Sequence, residues 1–540
     1  MPPREELLLI LDLTSTILRA GVGVHDLIRT PYVELPTRVG RKAGTTGARV
    51  EDFLVGQQLF EAERAARLAG PGAQAEFETV HPLRIDERVG FEVVDWVALE
   101  AVFRHAMHTT LLLSRPPLSN SAVLSVPPSL PPSTLDNLHR LLFERLLVPQ
   151  LLLSTRPFFA AAAAGVTSGV VLDLGYRGEG SELSVVHDNA VLEGPSGLRL
   201  PFVDEGACDD WCALQVLLED PTIPQQLARA KGAEQLAPGE LAWALRSMVE
   251  ELKRRELIEF ESKLLGKIDP AAIAAAAAGA AGAGEEEGSF DVAKAIVDGK
   301  VNDIVKKKGK GKAAAEEDAK FVLVANPFAA QPTAPAPGEV DLTVTEPAAG
   351  SQIRLGPARH RYLEPLFVPS VLSQLAPSAS EAASQLGFAE YARFAEGKAD
   401  TDFAGVHEAI GAVLGRVEDG EVRYAVSEAL VIVSSGRIGS IKALPPALLP
   451  LLLPFRPDPD SGTLAAIAAE GGVAPQRGVR WAPTPEYFAN FKERGGELGV
   501  YLGACIMGKL LIGDSQAKLF MTKADYTAHG PAYYRLLQAL

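Results

Sequence analysis

Two carboxylates stand where the chain could order a divalent cation. Asp12 ends the apolar run Leu-Leu-Leu-Ile-Leu that starts at Leu7, and Leu13-Thr-Ser-Thr16 follows it. Asp173 closes a second such run, Gly169-Val-Val-Leu-Asp-Leu-Gly175. An acid at the mouth of a buried strand, next to a tight turn, can position magnesium and its waters while the turn amides hold phosphate oxygens. Thr14 and Thr16 add hydroxyls, Arg19 adds a cation, and Gly175 lets backbone approach a ligand. A further loop, Val433-Ser-Ser-Gly-Arg-Ile-Gly439, offers Gly436. The bland alternative is that both acids only satisfy turn amides, where Asp is common.

The elements around these residues follow from patterning. A continuous apolar run is buried on both faces, as in an α/β sheet. The break at Asp12–Thr16 predicts a turn, with Ile17–Val24 returning beside the first strand. Leu183–Val186 is the expected hairpin partner of Gly169–Gly175. Two strand–acid–turn–strand units about 160 residues apart predict a duplicated α/β fold with one unit per lobe. A helix is expected over Trp96–Leu112, with Val97, Ala101, Met107 and Leu111 on its apolar face. Ala122–Pro127 reads as another buried strand. Ser133 reads as the N-cap of a helix running through Leu147.

A chain of 540 residues exceeds one core and suits two large lobes. Hydrophobic residues make up 47% and charged residues 22%, and the net charge of −16 argues against a surface that coats nucleic acid. The three cysteines, Cys208, Cys212 and Cys505, form no C-x-x-C pair and read as reduced and buried. The N-terminus lacks the basic start and long apolar core of a signal peptide. Ala443–Phe455 carries four prolines and is too short to span a bilayer. A soluble intracellular protein with no membrane partner is the expectation. Alanine and glycine dominate Ala271–Gly284, lysine dominates Lys306–Lys312, and proline with alanine dominates Ala329–Pro337. Such stretches bury little area against their chain entropy, so a disordered low-complexity insertion is expected over 265–340, with Phe321–Val324 an ordered piece inside it. A smaller insertion is expected over 376–402.

Taken in order, the landmarks resemble the actin family. Leu11-Asp-Leu-Thr-Ser-Thr-Ile-Leu-Arg-Ala-Gly21 and Gly169–Gly175 are similar to its two phosphate loops. Pro36-Thr-Arg-Val-Gly-Arg41 and the set His81-Pro-Leu, Gly90, Asp95-Trp96, Glu100 and His105 match early motifs. Ile353-Arg-Leu, Arg361, Glu364–Phe367, Pro369-Ser370 and Gly405-Val-His-Glu408 match later ones. Tyr501-Leu-Gly-Ala-Cys-Ile506, Thr522–Tyr526 and Gly530-Pro531 match the close. The resemblance implies an actin-like ATPase fold: two ribonuclease-H-like lobes around a nucleotide cleft. The first lobe would be 1–168, with 500–540 returning to it, and the second 169–499.

It also implies a degenerate cleft. Asp12 and Asp173 keep the acid positions, with Thr14, Thr16, Arg19, Gly175 and Gly436 around them. Arg19 replaces a phosphate-facing lysine, and Tyr176 and Arg177 stand where an acid and a glycine should follow Gly175. Arg156 falls where the family has a glutamine, and Glu182 where it has a histidine; both orient the attacking water. Ser434-Ser435 precede Gly436 where a glycine pair is usual, and Glu497 takes the place of an adenine-facing lysine. The implication is no enzyme, no required cofactor, no metal, and ATP bound at most weakly.

Several details resemble the fungal type nine subfamily of SWI/SNF and RSC chromatin remodellers: Thr30–Gly40, Asp52-Phe-Leu-Val-Gly56, the long second-lobe insertion, and the closing Tyr501–Ala504, Lys523–Tyr526 and His529–Pro531. That family implies a nuclear scaffold subunit beside a second actin-related protein. Both would grip the helicase-SANT-associated helix of the remodeller ATPase, with chromatin reached indirectly. Ala504, Ile506 and Met507 are the expected contributors to that contact. The Lys306–Lys312 run reads as an import signal or a solvated segment. Leu172-Asp-Leu-Gly-Tyr-Arg177 also resembles the pointed-end actin-related subunit of dynactin.

Overall fold

The computed structural model describes residues 4–260, 319–322, 352–388, 405–455, 479–512 and 519–538, less short gaps at 25–27, 46, 69–75, 87–89, 115–117, 129, 202, 373–376 and 387. Most of the expected insertion over 265–340 lies outside the described residues. So does the import-signal run Lys306–Lys312.

The same strand motif is built twice. In the first sheet Leu9–Leu13 pairs antiparallel with Ile17–Val22 and parallel with Ala122–Val126. In the second, Gly169–Leu174 pairs antiparallel with Ser181–His187 and parallel with Ala429–Ser434. Side chains alternate across a strand, and this decides where each apolar residue goes. Leu9, Leu11 and Leu13 enter the first lobe's core, while Ile10 points the other way. Val170, Leu172 and Leu174 enter the second lobe's core, while Val171 points back towards Ile10 and its neighbours. Both strands are therefore buried on both faces, as their unbroken apolar runs require.

The outward-alternating residues of the two sheets meet in a third core between the lobes. Two helices fill it, Arg156–Ala164 and Gly495–Ile512, contributing Phe159, Leu498, Leu502 and Cys505. The longer helix is apolar enough to cross a membrane by length and composition, but its residues from Glu497 to Cys505 are all buried between the lobes. At Gly503 a Cβ would overlap the Phe159 carbonyl. Only glycine lets the two helices approach this closely.

Two expectations need correction. The helix over Pro132–Arg140 starts on proline, its N-cap is Pro131, and no side chain caps it. Proline at the first helical position sets φ without a cap, so Ser133 is already inside the helix. Both this helix and Trp96–Arg104 end in wider π turns, Leu141–Arg145 and His105–Thr110, rather than running on as α-helix. Within the smaller insertion expected over 376–402, Pro377–Gln385 is a helix whose Ala379 and Ala383 are buried in the second lobe's core, with Leu386 and Phe388 beside them. The ordered piece expected at Phe321–Val324 is a strand over Ala319–Val322, paired with Gln352–Leu355.

Candidate functional site: a cleft filled by its own side chains

The opening hairpin turns at Thr14–Thr16. The Thr14 amide donates to the Ile17 carbonyl at 2.9 Å, and the Thr14 hydroxyl oxygen accepts from the Ile17 amide at 3.0 Å. The turn thus satisfies itself on one side and leaves Ser15 and Thr16 facing the opposite lobe. The second hairpin closes with Gly175 N–H donating to the Gly180 carbonyl at 2.9 Å. Gly178 and Gly180 adopt φ of +80° and +67°, the left-handed backbone with which the loop folds back.

Between the hairpins lies Arg156, the first residue of its helix and 2% exposed. Its guanidinium donates to Asp173 Oδ2 at 2.6 Å, Asp173 Oδ1 at 3.2 Å and Asp12 Oδ1 at 2.7 Å. Asp12 also accepts from the Ser125 hydroxyl at 2.5 Å. Burial pulls the Arg156 pKa down, but Asp173 and Asp12 outweigh it and the net direction is upward. The two acids that could have held a divalent cation therefore hold a permanent organic one.

An anion is supplied from the chain as well. The Glu179 carboxylate, in the second hairpin, accepts on Oε1 from the Ser15 hydroxyl at 2.5 Å, the Thr16 amide at 3.1 Å and the Thr16 hydroxyl at 3.1 Å. Its Oε2 accepts from the Tyr176 amide at 2.7 Å. Asp204 takes the Gly178 and Gly180 amides at 2.7 and 3.3 Å. Burial pushes the Asp204 pKa up to about 6, against the pull of those backbone donors.

The side of the cleft around Gly436 is equally crowded. A Cβ on Gly436 would overlap Glu205 and come within 2.9 Å of the Tyr176 ring. Glu205 accepts from the Arg437 and Ile438 amides, both at 3.2 Å. Glu205, Asp209 and Glu250 are spaced to share an ion, but the Lys253 ammonium sits among them, 2.9 Å from Asp209 and 2.7 Å from Glu250, and pairs with Glu205. Arg177 points away from the phosphate side, towards Asp209 and Asp210 at 3.3 and 3.5 Å.

Arg19 is fully buried and turned inward. It donates to the Ser435 carbonyl at 2.5 Å and pairs with Glu497 at 3.2 Å and, more loosely, with Asp12 at 3.6 Å and Glu34 at 3.7 Å. Its Nε and Nη1, and Asp12 Oδ2, have no hydrogen-bond partner. Arg494 joins the lobes on this side, donating to both oxygens of Glu34 at 2.7 and 2.6 Å and to Glu497 at 2.8 Å. Burial pushes the Glu497 pKa up, yet Arg494 and Arg19 hold it down at about 2.

The cavity left between Thr14, Arg156, Asp173, Glu179 and Ser435 measures about 40 Å³. Ligand pockets run to roughly 300–1,000 Å³. As arranged, these residues do not fit a magnesium–triphosphate: its cation seat, its amide donors and its volume are all taken.

Sequence reasoning found Asp12, Thr14, Thr16, Arg19, Asp173, Gly175 and Gly436, and the structure gathers all seven at the cleft. It missed Glu179, whose only signal was an acid between two glycines just after Gly175. It also missed the Glu205–Lys253 and Glu34–Arg494–Glu497 groups, which form across distant segments. The expected partner residues divide. Ala504 is fully buried in the inter-lobe core, so it presents nothing to a partner, whereas Ile506 and Met507 are half-buried and Leu510 is the exposed apolar residue of that helix.

The actin family's sequence profile matches residues 4–197 of this chain. That span holds five of the six strands of the first sheet, Arg156 and both hairpins. Together with the paired sheets and the cleft between them, this defines an actin-like fold. More particularly, the chain is similar to actin-related protein 4 of Oryza sativa subsp. indica, 24% identical over 34% of this chain and 43% of that protein. It is also similar to actin-related protein 4 of Arabidopsis thaliana, 29% identical over 19% of this chain and 22% of that protein. The chain spans less than half the length of the curated relatives it matches. These similarities support an actin-related protein.

Proposed function

We propose that this chain is a non-catalytic actin-related scaffold, a subunit of a SWI/SNF- or RSC-type chromatin-remodelling complex in the nucleus. The observation that carries the non-catalytic part is Arg156, whose guanidinium stands between Asp12 and Asp173 where turnover would need a hydrated metal. Glu182, where the family has a water-orienting histidine, pairs across the hairpin with Asp173 and lines the same cavity. The remodeller part rests on the sequence resemblance at Thr30–Gly40, Asp52–Gly56 and the closing motifs. In this reading the chain pairs with a second actin-related protein on the helicase-SANT-associated helix of the remodeller ATPase. The apolar helix end at Ile506, Met507 and Leu510 is its nearest surface for such a helix.

Two measurements test it. Affinity purification with mass spectrometry is expected to recover a remodeller ATPase and a second actin-related protein. Recovery of dynein–dynactin subunits instead would replace this reading with the pointed-end one. Purified protein is expected to release no phosphate from ATP above a D12A/D173A control.

A further inference from the structure

The Glu179 carboxylate draws hydroxyl and backbone-amide donors from both lobes at once. Ser15 and Thr16 belong to the first hairpin, Tyr176 to the second, and all four of its contacts lie between 2.5 and 3.1 Å. A group that gathers hydroxyls and backbone amides from two facing turns is doing what a phosphate does in such a nest. Arg156 supplies the matching positive charge, bridging Asp12 of one lobe to Asp173 of the other. Glu179 and Arg156 are both buried, at 8% and 2% exposed.

We infer that Glu179 is a built-in phosphate mimic and Arg156 a built-in cation, a pair that holds the two lobes closed in place of a magnesium-bound nucleotide. This deepens the non-catalytic reading of the same site and rests on it. Closure then requires no ligand, and removing the carboxylate exposes a phosphate-binding nest that the native chain keeps filled. The vacated ligand class is inorganic: a di- or triphosphate with no requirement for a base or sugar, because Tyr176, Glu205 and Lys253 still fill the adenosine side.

The test is a thermal-shift series on the full chain with inorganic pyrophosphate, with and without magnesium. Wild type is expected to show no shift. Glu179→Ala is expected to melt lower, and pyrophosphate is expected to raise its midpoint by at least about 2 °C at saturating concentration. Should Glu179→Ala fail to fold, Glu179→Gln keeps the shape and one acceptor but loses the charge, and a smaller pyrophosphate shift is expected. Equal shifts in wild type and variants, or no shift in either variant, would overturn the mimic. Neither result bears on ATP turnover by wild type, so failure here and failure of the scaffold reading are read from separate measurements.

Discussion

The two halves of the cleft are filled by different means. On the phosphate-facing half, Glu179 and Arg156 are saturated: each draws short contacts from both lobes. On the Glu497-facing half, Arg19 keeps Nε and Nη1 without hydrogen bonds, and its ion pairs to Asp12 and Glu34 are long. Buried charges reward a pairing only when their remaining polar atoms are also satisfied. The contrast teaches that the phosphate-side bridge is the tighter inter-lobe link, and that Arg19 is held by enclosure as much as by bonding.

Substitution can break that contrast, and Arg156 is where the largest effect is expected. Arg156→Leu strands the buried Asp12 and the half-buried Asp173 and should cost on the order of 3 kcal/mol in urea unfolding. Glu497 comes next, through pH. Its folded pKa of about 2 lies below the usual 4.5, so it contributes stability that is complete above about pH 4.5 and lost as pH falls towards 2. That contribution is on the order of 3 kcal/mol. Glu497→Gln should flatten the acid limb of a stability–pH curve, and an unchanged limb would remove Glu497 from the clamp. Arg19→Met should cost only about 1–2 kcal/mol, because Asp12 keeps Arg156 and Glu497 keeps Arg494. A loss as large as that of Arg156→Leu would erase the difference between the halves. The smallest effect lies outside the cleft and serves as a control. Leu112 lies just past a π turn at φ +53° and is 79% exposed, so Leu112→Gly should stabilise by about 1 kcal/mol without altering the cleft.

The strands and their acids were legible because the cause is local. The apolar run Leu7–Leu11 signalled a buried strand beside Asp12; the strand itself is Leu9–Leu13, and Leu7 closes a 3-10 turn before it. The ion pairs were not legible, because each joins residues far apart in the chain: Arg156 lies 144 residues from Asp12, and Arg494 lies 460 from Glu34. Arg156 was read as standing in place of a glutamine; its bridge between Asp12 and Asp173 needed the third dimension. Ser133 misled because a hydroxyl near a helix start normally signals a cap, and Pro131-Pro132 overrode it. The Pro377–Gln385 helix was hidden by composition, since its buried face is made of alanines that look like low complexity.

The core shared between the lobes sets a boundary for anyone who would cut this chain. Residues 4–197, the span that matches the actin profile, contain Ile10, Val123, Phe159 and Val171. They lack Val431, Val433, Leu498 and Leu502, which complete the same apolar layer. A fragment ending there would expose one wall of that layer to water, with the associated risk of self-association. The lobes are therefore recognisable as architectural units without being independent folding units, and expression trials are expected to yield soluble material only when the Gly495–Ile512 helix is present.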